Sequence, residues 1–324
     1  MQITPEDARS ATLSTREVQG SRSVIASFLD SDIWYSFTRS WITMVAALIT
    51  VVLIVSAIFA HQIAPNDPFN LESLSLLDGS KPPFWSADGE WRFPLGTDQQ
   101  GRCVLSSILF GMRISLIVGF LGVLLAASIG ITLGLVAGYL GGTVDSVIMR
   151  IADVQLTFPA ILIALLIDGT MRALVGTARS EVLVFWVLVV SIGLSFWVQY
   201  ARTVRGSTMV ERNKEYVQAA RLIGLGNITI LFRHVLPNVV GPVLVIATIN
   251  MALAIITEAT LSFLGVGLPP TEPSLGTLIR LGNEFLFSGE WWVVIFPGLT
   301  LAILVLAINL LGDWLRDALN PKLR

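Results

Sequence analysis

The chain has few residues that could do chemistry. Its 324 residues include two histidines and a single cysteine, Cys103. A single cysteine forms no internal disulfide, and this set is too small for a Cys₄ or Cys₂His₂ zinc site. The sequence also lacks the H-E-x-x-H, G-x-S-x-G and G-x-x-x-x-G-K-[ST] patterns of metalloproteases, hydrolases and nucleotide-binding loops. We therefore predict that the chain is not an enzyme, has no catalytic residues, and carries no metal or cofactor of its own.

The composition is typical of a protein that crosses a membrane several times. Hydrophobic residues make up 54% of the chain and charged residues 14%, against roughly 25% charged in soluble domains. The formal net charge is −2, so no overall basic field indicates a nucleic acid partner. We predict an all-α polytopic membrane protein in contact with lipid.

Six apolar stretches have about the length that a hydrocarbon core of roughly 30 Å requires. They lie near residues 41–60, 114–139, 147–167, 182–200, 239–264 and 291–311. Asp145 is placed to cap the third predicted helix. The predicted divisions are an N-terminal segment 1–40, helix 1 at 41–60, a small extracytoplasmic subdomain at 61–113, a helical core at 114–313 with a loop at 201–238, and a C-terminal tail at 314–324.

The distribution of basic residues predicts the orientation. With six spans, both termini, the 141–150 turn and the 201–238 loop share one side, which holds two thirds of the 21 lysines and arginines. Basic residues are enriched on the cytoplasmic side of membrane proteins. We therefore predict cytoplasmic termini and a cytoplasmic 201–238 loop. Within residues 1–40, apolar residues such as Val24 and Phe28 indicate either a short interfacial helix or a poorly ordered tail.

Small residues recur every four positions along the second span, at Ala126, Gly130, Gly134 and Gly138. This spacing predicts a smooth helix face against which another helix packs closely.

The predicted spans also hold acidic residues. Glu258 lies inside the fifth span, where a carboxylate should face protein or water. Glu258 therefore either lines a solute pathway or contacts a neighbouring helix. The sequence does not decide whether Asp168 contacts solute. We predict that Asp153 pairs with Arg150, three residues earlier on one helix face.

The segment 215–238, EYVQAARLIGLGNITILFRHVLPN, predicts a helix–turn–helix finger. One face of its first helix would carry Tyr216, Ala219, Ala220, Ile223 and Leu225, and the other Glu215, Gln218 and Arg221. Gly224 and Gly226 would break that helix, and Asn227 would cap a second helix that runs to Pro237. The finger either docks into a groove of a partner or lies solvated on the membrane surface.

This segment resembles the cytoplasmic loop signature of ATP-binding-cassette (ABC) importer permeases. The matching residues are Glu215, Ala219, Ala220, Gly224, Leu236 and Pro237, and the fuller string with Tyr216, Arg221 and Arg233 is similar to the subfamily that imports dipeptides, oligopeptides and nickel. Other blocks agree with that subfamily: LGTDQQGR at 95–102, GMRISL at 111–116, MRIADVQLTFPAIL at 149–162 and EATLSFLGVGLPPTEPSLG at 258–276. The APNDPF and KPPFW segments resemble the second, C-type permease of the pair.

The resemblance implies a type I importer permease fold in the bacterial inner membrane. It further implies a second permease subunit, two cytoplasmic ATPase subunits that bind ATP and Mg, and an extracytoplasmic solute-binding protein. The nine finger residues just named would couple the chain to the ATPases. The expected solute is a di- or oligopeptide, with nickel or opine-like solutes as alternatives. A stand-alone secondary transporter is a rival of another class, but such proteins often show inverted repeats, and we find no convincing repeat here.

Overall fold

A computed structural model of the protein describes residues 32–70, 74–176 and 180–319. Apart from one isolated β-bridge between Thr97 and Cys103, the regular structure of these residues is helical, as predicted. The helices are α1 (Asp32–Arg39), α2 (Trp41–Ile58), α3 (Ala60–Ile63), α4 (Val104–Leu140), α5 (Gly142–Leu156), α6 (Ala160–Val175), α7 (Glu181–Glu211), α8 (Glu215–Leu222), α9 (Asn227–Ile230), α10 (Leu236–Phe263), α11 (Leu275–Phe285) and α12 (Trp292–Ala318). The residues behind the predicted N-terminal interfacial helix, such as Val24 and Phe28, lie outside the described residues.

The third predicted span, 147–167, is not one straight helix. In the described residues five helical segments are long and apolar enough to cross a membrane, while α5 and α6 meet that test only as a pair bent by 90°. The break falls at Thr157–Pro159, between the two helices. Pro159 has no N–H for a helical hydrogen bond, and its ring disfavours a helical conformation of the preceding residue. The proline thus explains the bend.

Helices α4 and α7 run in the same direction. A Cβ atom built on Gly122 would lie 2.6 Å from Ile192, and one built on Gly138 would lie 2.7 Å from Thr208. Residue numbers therefore increase together along the two helices. Because parallel neighbours need a return crossing between them, the bent pair α5–α6 must cross the membrane. With the bent pair counted as one broken span, the described residues contain six candidate membrane crossings.

The two ends of the bundle hold different parts of the chain. Trp292, at the start of α12, donates a 3.0 Å hydrogen bond to the carbonyl of Thr97, just before α4. At the other end the rings of Phe37 and Trp314 lie 5.2 Å apart, and Arg212 donates a 2.8 Å hydrogen bond to the carbonyl of Gly138. We call this second end the finger end and the opposite one the far end. The finger end thus holds the described parts of both chain ends.

Two acidic residues join α5 to α7 rather than serving the roles that we predict. Helix α5 begins after Gly141, so Asp145 lies within its first turn and is not the cap. Its carboxylate instead accepts hydrogen bonds from Arg205. Asp153 pairs with Arg202 at 2.6 Å, not with Arg150. Both predictions were wrong because α7 continues to Glu211, past the end expected near 200, and carries these two arginines alongside α5.

Candidate functional site

The finger, residues 215–238, consists of α8, a tight turn, α9 and the stretch that leads from α9 into the start of α10. Gly224 occupies the turn with φ +80°, the left-handed region that favours glycine. The N–H of Leu225 bonds the carbonyl of Ala220 at 3.1 Å, and that of Gly224 bonds the carbonyl of Arg221 at 3.0 Å. This pair of bonds is a Schellman motif, in which a glycine just past the helix ends it and reverses the chain. The turn therefore depends on Gly224.

We predict that the second helix of the finger ends at Pro237. The structure shows no end there. Helix α9 continues through a π-helical stretch, Leu231–Val235, directly into α10. Pro237 closely follows the π-helical stretch, and π-bulges and prolines both occur where a helix is irregular. The second helical segment of the finger is therefore continuous with a membrane-crossing helix.

One side of α8 packs against the rest of the chain. Val217 and Ala220 are buried, whereas Tyr216, Ala219 and Ile223 are exposed. Val217 packs in the main hydrophobic core together with Ile230 of α9 and Val235 of the π-helical stretch. The sequence did not single out Val217, because helical spacing supports either face and only tertiary contacts decide between them.

A network of polar contacts fixes the first residues of α8. The carboxylate of Glu211, at the end of α7, accepts hydrogen bonds from the Tyr216 hydroxyl at 2.5 Å and from Lys214 at 2.6 Å. Asn238, at the start of α10, donates to the same hydroxyl at 3.2 Å and to the carbonyl of His234 at 2.7 Å. Burial and the Glu211 carboxylate raise the pKa of Tyr216 to about 12. The network ties the finger to α7 and α10.

A second group of contacts ties the finger to α4. The Tyr139 hydroxyl donates to Oδ1 of Asn227 at 3.0 Å and accepts from Nε of Arg221 at 3.3 Å. The Arg221 guanidinium also lies 4.9 Å from the centre of the Tyr139 ring, within the range of a cation–π contact. Asn227 is therefore not the predicted cap, since α9 begins after Gly226 without a side-chain cap. Its side-chain oxygen instead accepts the hydrogen bond from the Tyr139 hydroxyl.

The tip of the finger presents apolar side chains to the outside. The exposed fractions are 88% for Leu222, 76% for Ile223, 74% for Ile228 and 60% for Phe232. We call these four residues the apolar tip. The other predicted coupling residues vary: Glu215, Arg233 and Pro237 are exposed, and Leu236 is half-buried. An exposed apolar patch on a rigid support is typical of a protein interaction site.

The small-residue stripe of α4 packs against α7. A Cβ atom built on Gly134 would lie 2.6 Å from the carbonyl oxygen of Ala201. A Cβ atom built on Gly130 would lie within 3 Å of Tyr200, and one built on Gly138 within 3 Å of Thr208. These contacts hold the two backbones together directly behind the finger.

Glu258 is fully buried within this chain. Its carboxylate accepts hydrogen bonds from Ser115 of α4 at 2.7 Å and from Ser262 of its own helix at 2.6 Å. Asp168, also buried, pairs with Arg172 at 2.6 Å. Cys103 is a free, buried cysteine. Among the described residues no group of three or more His, Cys, Asp or Glu residues could hold a metal ion.

Comparison with known proteins identifies the family. The model of the family described as "Binding-protein-dependent transport system inner membrane component" matches residues 130–324. The model described as "N-terminal TM domain of oligopeptide transport permease C" matches residues 27–83.

Several relatives are similar along most of their length. The chain is 38% identical to the di/tripeptide transport system permease protein DppC of Pseudomonas aeruginosa, over 90% of this chain and 92% of that protein. It is 40% identical to the dipeptide transport system permease protein DppC of Escherichia coli K12, over 90% and 93% respectively. It is 38% identical to the glutathione transport system permease protein GsiD of Pectobacterium atrosepticum, over 98% of each chain.

A solved structure shares the fold. A chain of the MetNI methionine ABC transporter, in an inward-facing conformation, superposes on 66% of this chain and 96% of its own length with a TM-score of 0.51 and 19% identity. The family resemblance found in the sequence is thereby confirmed: the chain belongs to the family of inner-membrane components of binding-protein-dependent transport systems and has the fold of ABC importer permeases.

Proposed function

We propose that this chain is one of two permease subunits of an ABC importer for short peptides. It would form half of the translocation pathway with a second permease. Two cytoplasmic ATPase subunits would bind ATP and Mg, and an extracytoplasmic solute-binding protein would deliver the solute. Family membership and the names of the relatives support this assignment.

The observation that carries the coupling role is the construction of the finger. Its inner face is buried in the core through Val217, its base is fixed to α4 and α7 by Tyr139 and Glu211, and its apolar tip is exposed. A lever needs this combination of a rigid attachment and a free contact surface. The tip would insert into a groove of an ATPase subunit, with Glu215 and Ala219 on the exposed side of α8 as further contacts.

The finger end would face the cytoplasm. It holds the arginines of the predicted cytoplasmic loop, including Arg202, Arg205 and Arg212, and basic residues favour that side. Residues 74–103, at the far end, would then face the binding protein. The six-crossing topology supports this orientation because it brings the described parts of both chain ends to the finger end.

Coupling would work by differential contact. Closure of the ATPase dimer on ATP would draw the fingers of the two permeases together. Because ligands shift an equilibrium only by their different affinities for its states, the finger must transmit this movement without bending. The close packing of α4 on α7 at Gly134 would carry it into the membrane.

Short peptides are the solute class that the relatives have in common. Dipeptides and tripeptides are named for the DppC relatives, and glutathione, itself a tripeptide, for the GsiD relative. We assign Glu258 to helix contact rather than to the pathway, because its hydrogen-bond partners lie within this chain.

The experiment is purification of the tagged chain from its native membrane after Leu222→Asp or Ile223→Asp substitution. The unaltered chain should bring a second permease and ATPase subunits with it, and membrane vesicles supplied with the solute-binding protein should take up dialanine in an ATP-dependent manner. Charge at the apolar tip should reduce both the ATPase yield and uptake. Leu77→Asp, at a far-end residue that is 91% exposed, is the matched control. A chain that purifies alone and transports without ATP would instead be a secondary transporter.

A further inference from the structure

A cavity at the far end of the bundle combines charges of both signs with aromatic rings. It has a volume of about 320 Å³, and its lining includes Arg113, His61, Asp67 and Glu272. Phe69 and Phe110 form one wall, with ring centres 5.4 Å apart. Pockets that bind small molecules usually join apolar surface to a few polar groups in this manner, and this volume is at the lower end of their range.

The cavity is assembled from three separate segments. Arg113 belongs to α4, and the neighbouring Gly111 packs so closely that an added Cβ would lie 3.1 Å from the carbonyl of Pro273. Glu272 precedes that proline in the loop before α11. The segment after α3 contributes Asp67 and is held to α4 by a 3.0 Å hydrogen bond between Ser106 and Asn66. The positions of the three charged groups are therefore set by packing.

Arg113 is the unusual member of this set. It lies inside a long apolar helix, its side chain is exposed, and it makes no ion pair or hydrogen bond with another described residue. Glu272 likewise makes no side-chain hydrogen bond within the described part of the chain. A guanidinium and a carboxylate that face one small cavity suit a ligand with one charge of each sign.

The geometry points to this cavity as a binding site for the charged termini of a short zwitterionic peptide. Arg113 would pair with the peptide carboxylate, since a guanidinium binds that group with two parallel hydrogen bonds. Glu272 would hold the ammonium group, and the rings of Phe69 and Phe110 would contact a side chain. A lipid phosphate fits less well, because the carboxylates of the same cavity would repel it.

This inference rests on the proposed function, and it adds a solute contact on the permease itself at the side where the binding protein would dock. The sequence contained each residue in a segment that carries the family resemblance, namely GMRISL, APNDPF and PPTEPSLG. Their convergence could not be seen before the fold was known.

The test is equilibrium dialysis of radiolabelled dialanine against the transporter, purified with its partner subunits, without the binding protein, in nanodiscs of phosphatidylcholine. We expect saturable binding that Arg113→Gln weakens at least about tenfold, since a hydrogen bond to a charged group contributes more than the free energy of a tenfold change. Arg92→Gln, at an exposed far-end arginine outside the cavity, should bind as the unaltered chain does. Glu272→Gln should weaken dialanine but not N-acetyl-dialanine, which lacks the ammonium group.

Three results would overturn the inference. One is the absence of saturable dialanine binding to the unaltered transporter. The second is unchanged binding in both Arg113→Gln and Glu272→Gln. The third is an effect of Arg113→Gln that appears only with phosphatidylglycerol in the nanodisc, which would identify a lipid contact. Uptake of dialanine by the complete system with its binding protein is measured in parallel, so a failure of the site is distinguished from a failure of the peptide-transport assignment.

Discussion

The hydroxyl of Tyr139 donates a 3.0 Å hydrogen bond to Oδ1 of Asn227, 88 positions later in the chain. Tyr139 directly follows Gly138, the last residue of the small-residue stripe on α4, and Asn227 is the first residue of the second finger helix. The bond therefore connects the finger to the helix pair that is packed most closely. On the proposed function, movement of the finger would be passed to α4, and from α4 to α7 across the glycines.

Gly224→Val should impair coupling. Its φ of +80° is a conformation that costs an ordinary residue about 1–2 kcal/mol, and a β-branched side chain is among the least tolerant. A Cβ at this position would meet no atom within 4 Å, so the effect is on the backbone turn and not on packing. We expect normal membrane insertion with reduced peptide uptake per ATP hydrolysed. Gly224→Asn, which tolerates this conformation, is the control, and equal coupling in both variants would contradict the role of the turn.

Glu215→Ala should weaken the association with the ATPase subunits. The side chain is exposed in the first turn of α8, so its removal should leave the fold of this chain unchanged. The measurement is the ATPase-to-permease ratio after affinity purification. Glu284→Ala, at an exposed carboxylate of α11, is the matched control. An unchanged ratio for Glu215→Ala would show that Glu215 does not contribute to the interface with the ATPase subunits.

Gly134→Ala should destabilise the bundle, whereas Gly206→Ala should not. The methyl group added at Gly134 would lie 2.6 Å from the carbonyl oxygen of Ala201, but the one added at Gly206 has no atom within 4 Å. Overpacking of a tight contact costs roughly 1–3 kcal/mol, while alanine in an exposed helix position is favourable by about 1 kcal/mol. Thermal unfolding in detergent measures the two effects. Equal melting temperatures for the two variants would show that α4 and α7 are not held this closely.

The Tyr216 contact predicts a loss of stability at high pH. Since the folded protein raises the pKa of this phenol to about 12, from an ordinary value of about 10, the folded state holds the proton more tightly than the unfolded state. The contribution is therefore present below pH 10 and is lost as the pH rises from about 10 to about 12. Unfolding curves of the unaltered chain and of Tyr216→Phe should converge over this interval. A constant difference between them would contradict the assignment.

Glu258→Gln should retain uptake, and Glu258→Leu should lower stability. The hydroxyls of Ser115 and Ser262 donate to different oxygens of Glu258. Glutamine keeps an oxygen for one hydroxyl, and its NH₂ group can donate to the oxygen of the other. Leucine offers neither, at about 1–3 kcal/mol for a buried polar group left unpaired. Uptake and thermal unfolding are measured together. Loss of uptake in a normally stable Glu258→Gln protein would indicate that the negative charge acts in the pathway.

The membrane spans were predictable because their signal is local. A run of apolar residues locates a span whatever its neighbours are, and Gly224 and the stripe of glycines could be interpreted in the same way. The ends of α4 and α7 were missed because these helices continue beyond the apolar stretches. Charged residues there, such as Arg113, Arg202 and Arg205, resemble loop residues in a sequence.

The contacts that define the finger could not be predicted, because they join distant positions. No residue near Tyr139 in the sequence indicates that its hydroxyl donates a hydrogen bond to Asn227. Likewise, no neighbour of Glu211 indicates that its carboxylate accepts hydrogen bonds from both Lys214 and Tyr216. The bend at Pro159 was visible in principle, since proline interrupts helices. An apolar run on both sides of that proline concealed it.

The most direct test of the central claim is site-specific photo-cross-linking from the apolar tip. A photoreactive phenylalanine analogue at position 222 or 228 is irradiated in native membranes, with the same group at position 77 as control. We predict an adduct between the tip and an ATPase subunit whose yield changes when ATP is bound, and no such adduct from position 77. Adducts with lipid alone, or equal labelling of the ATPase from all three positions, would contradict the account.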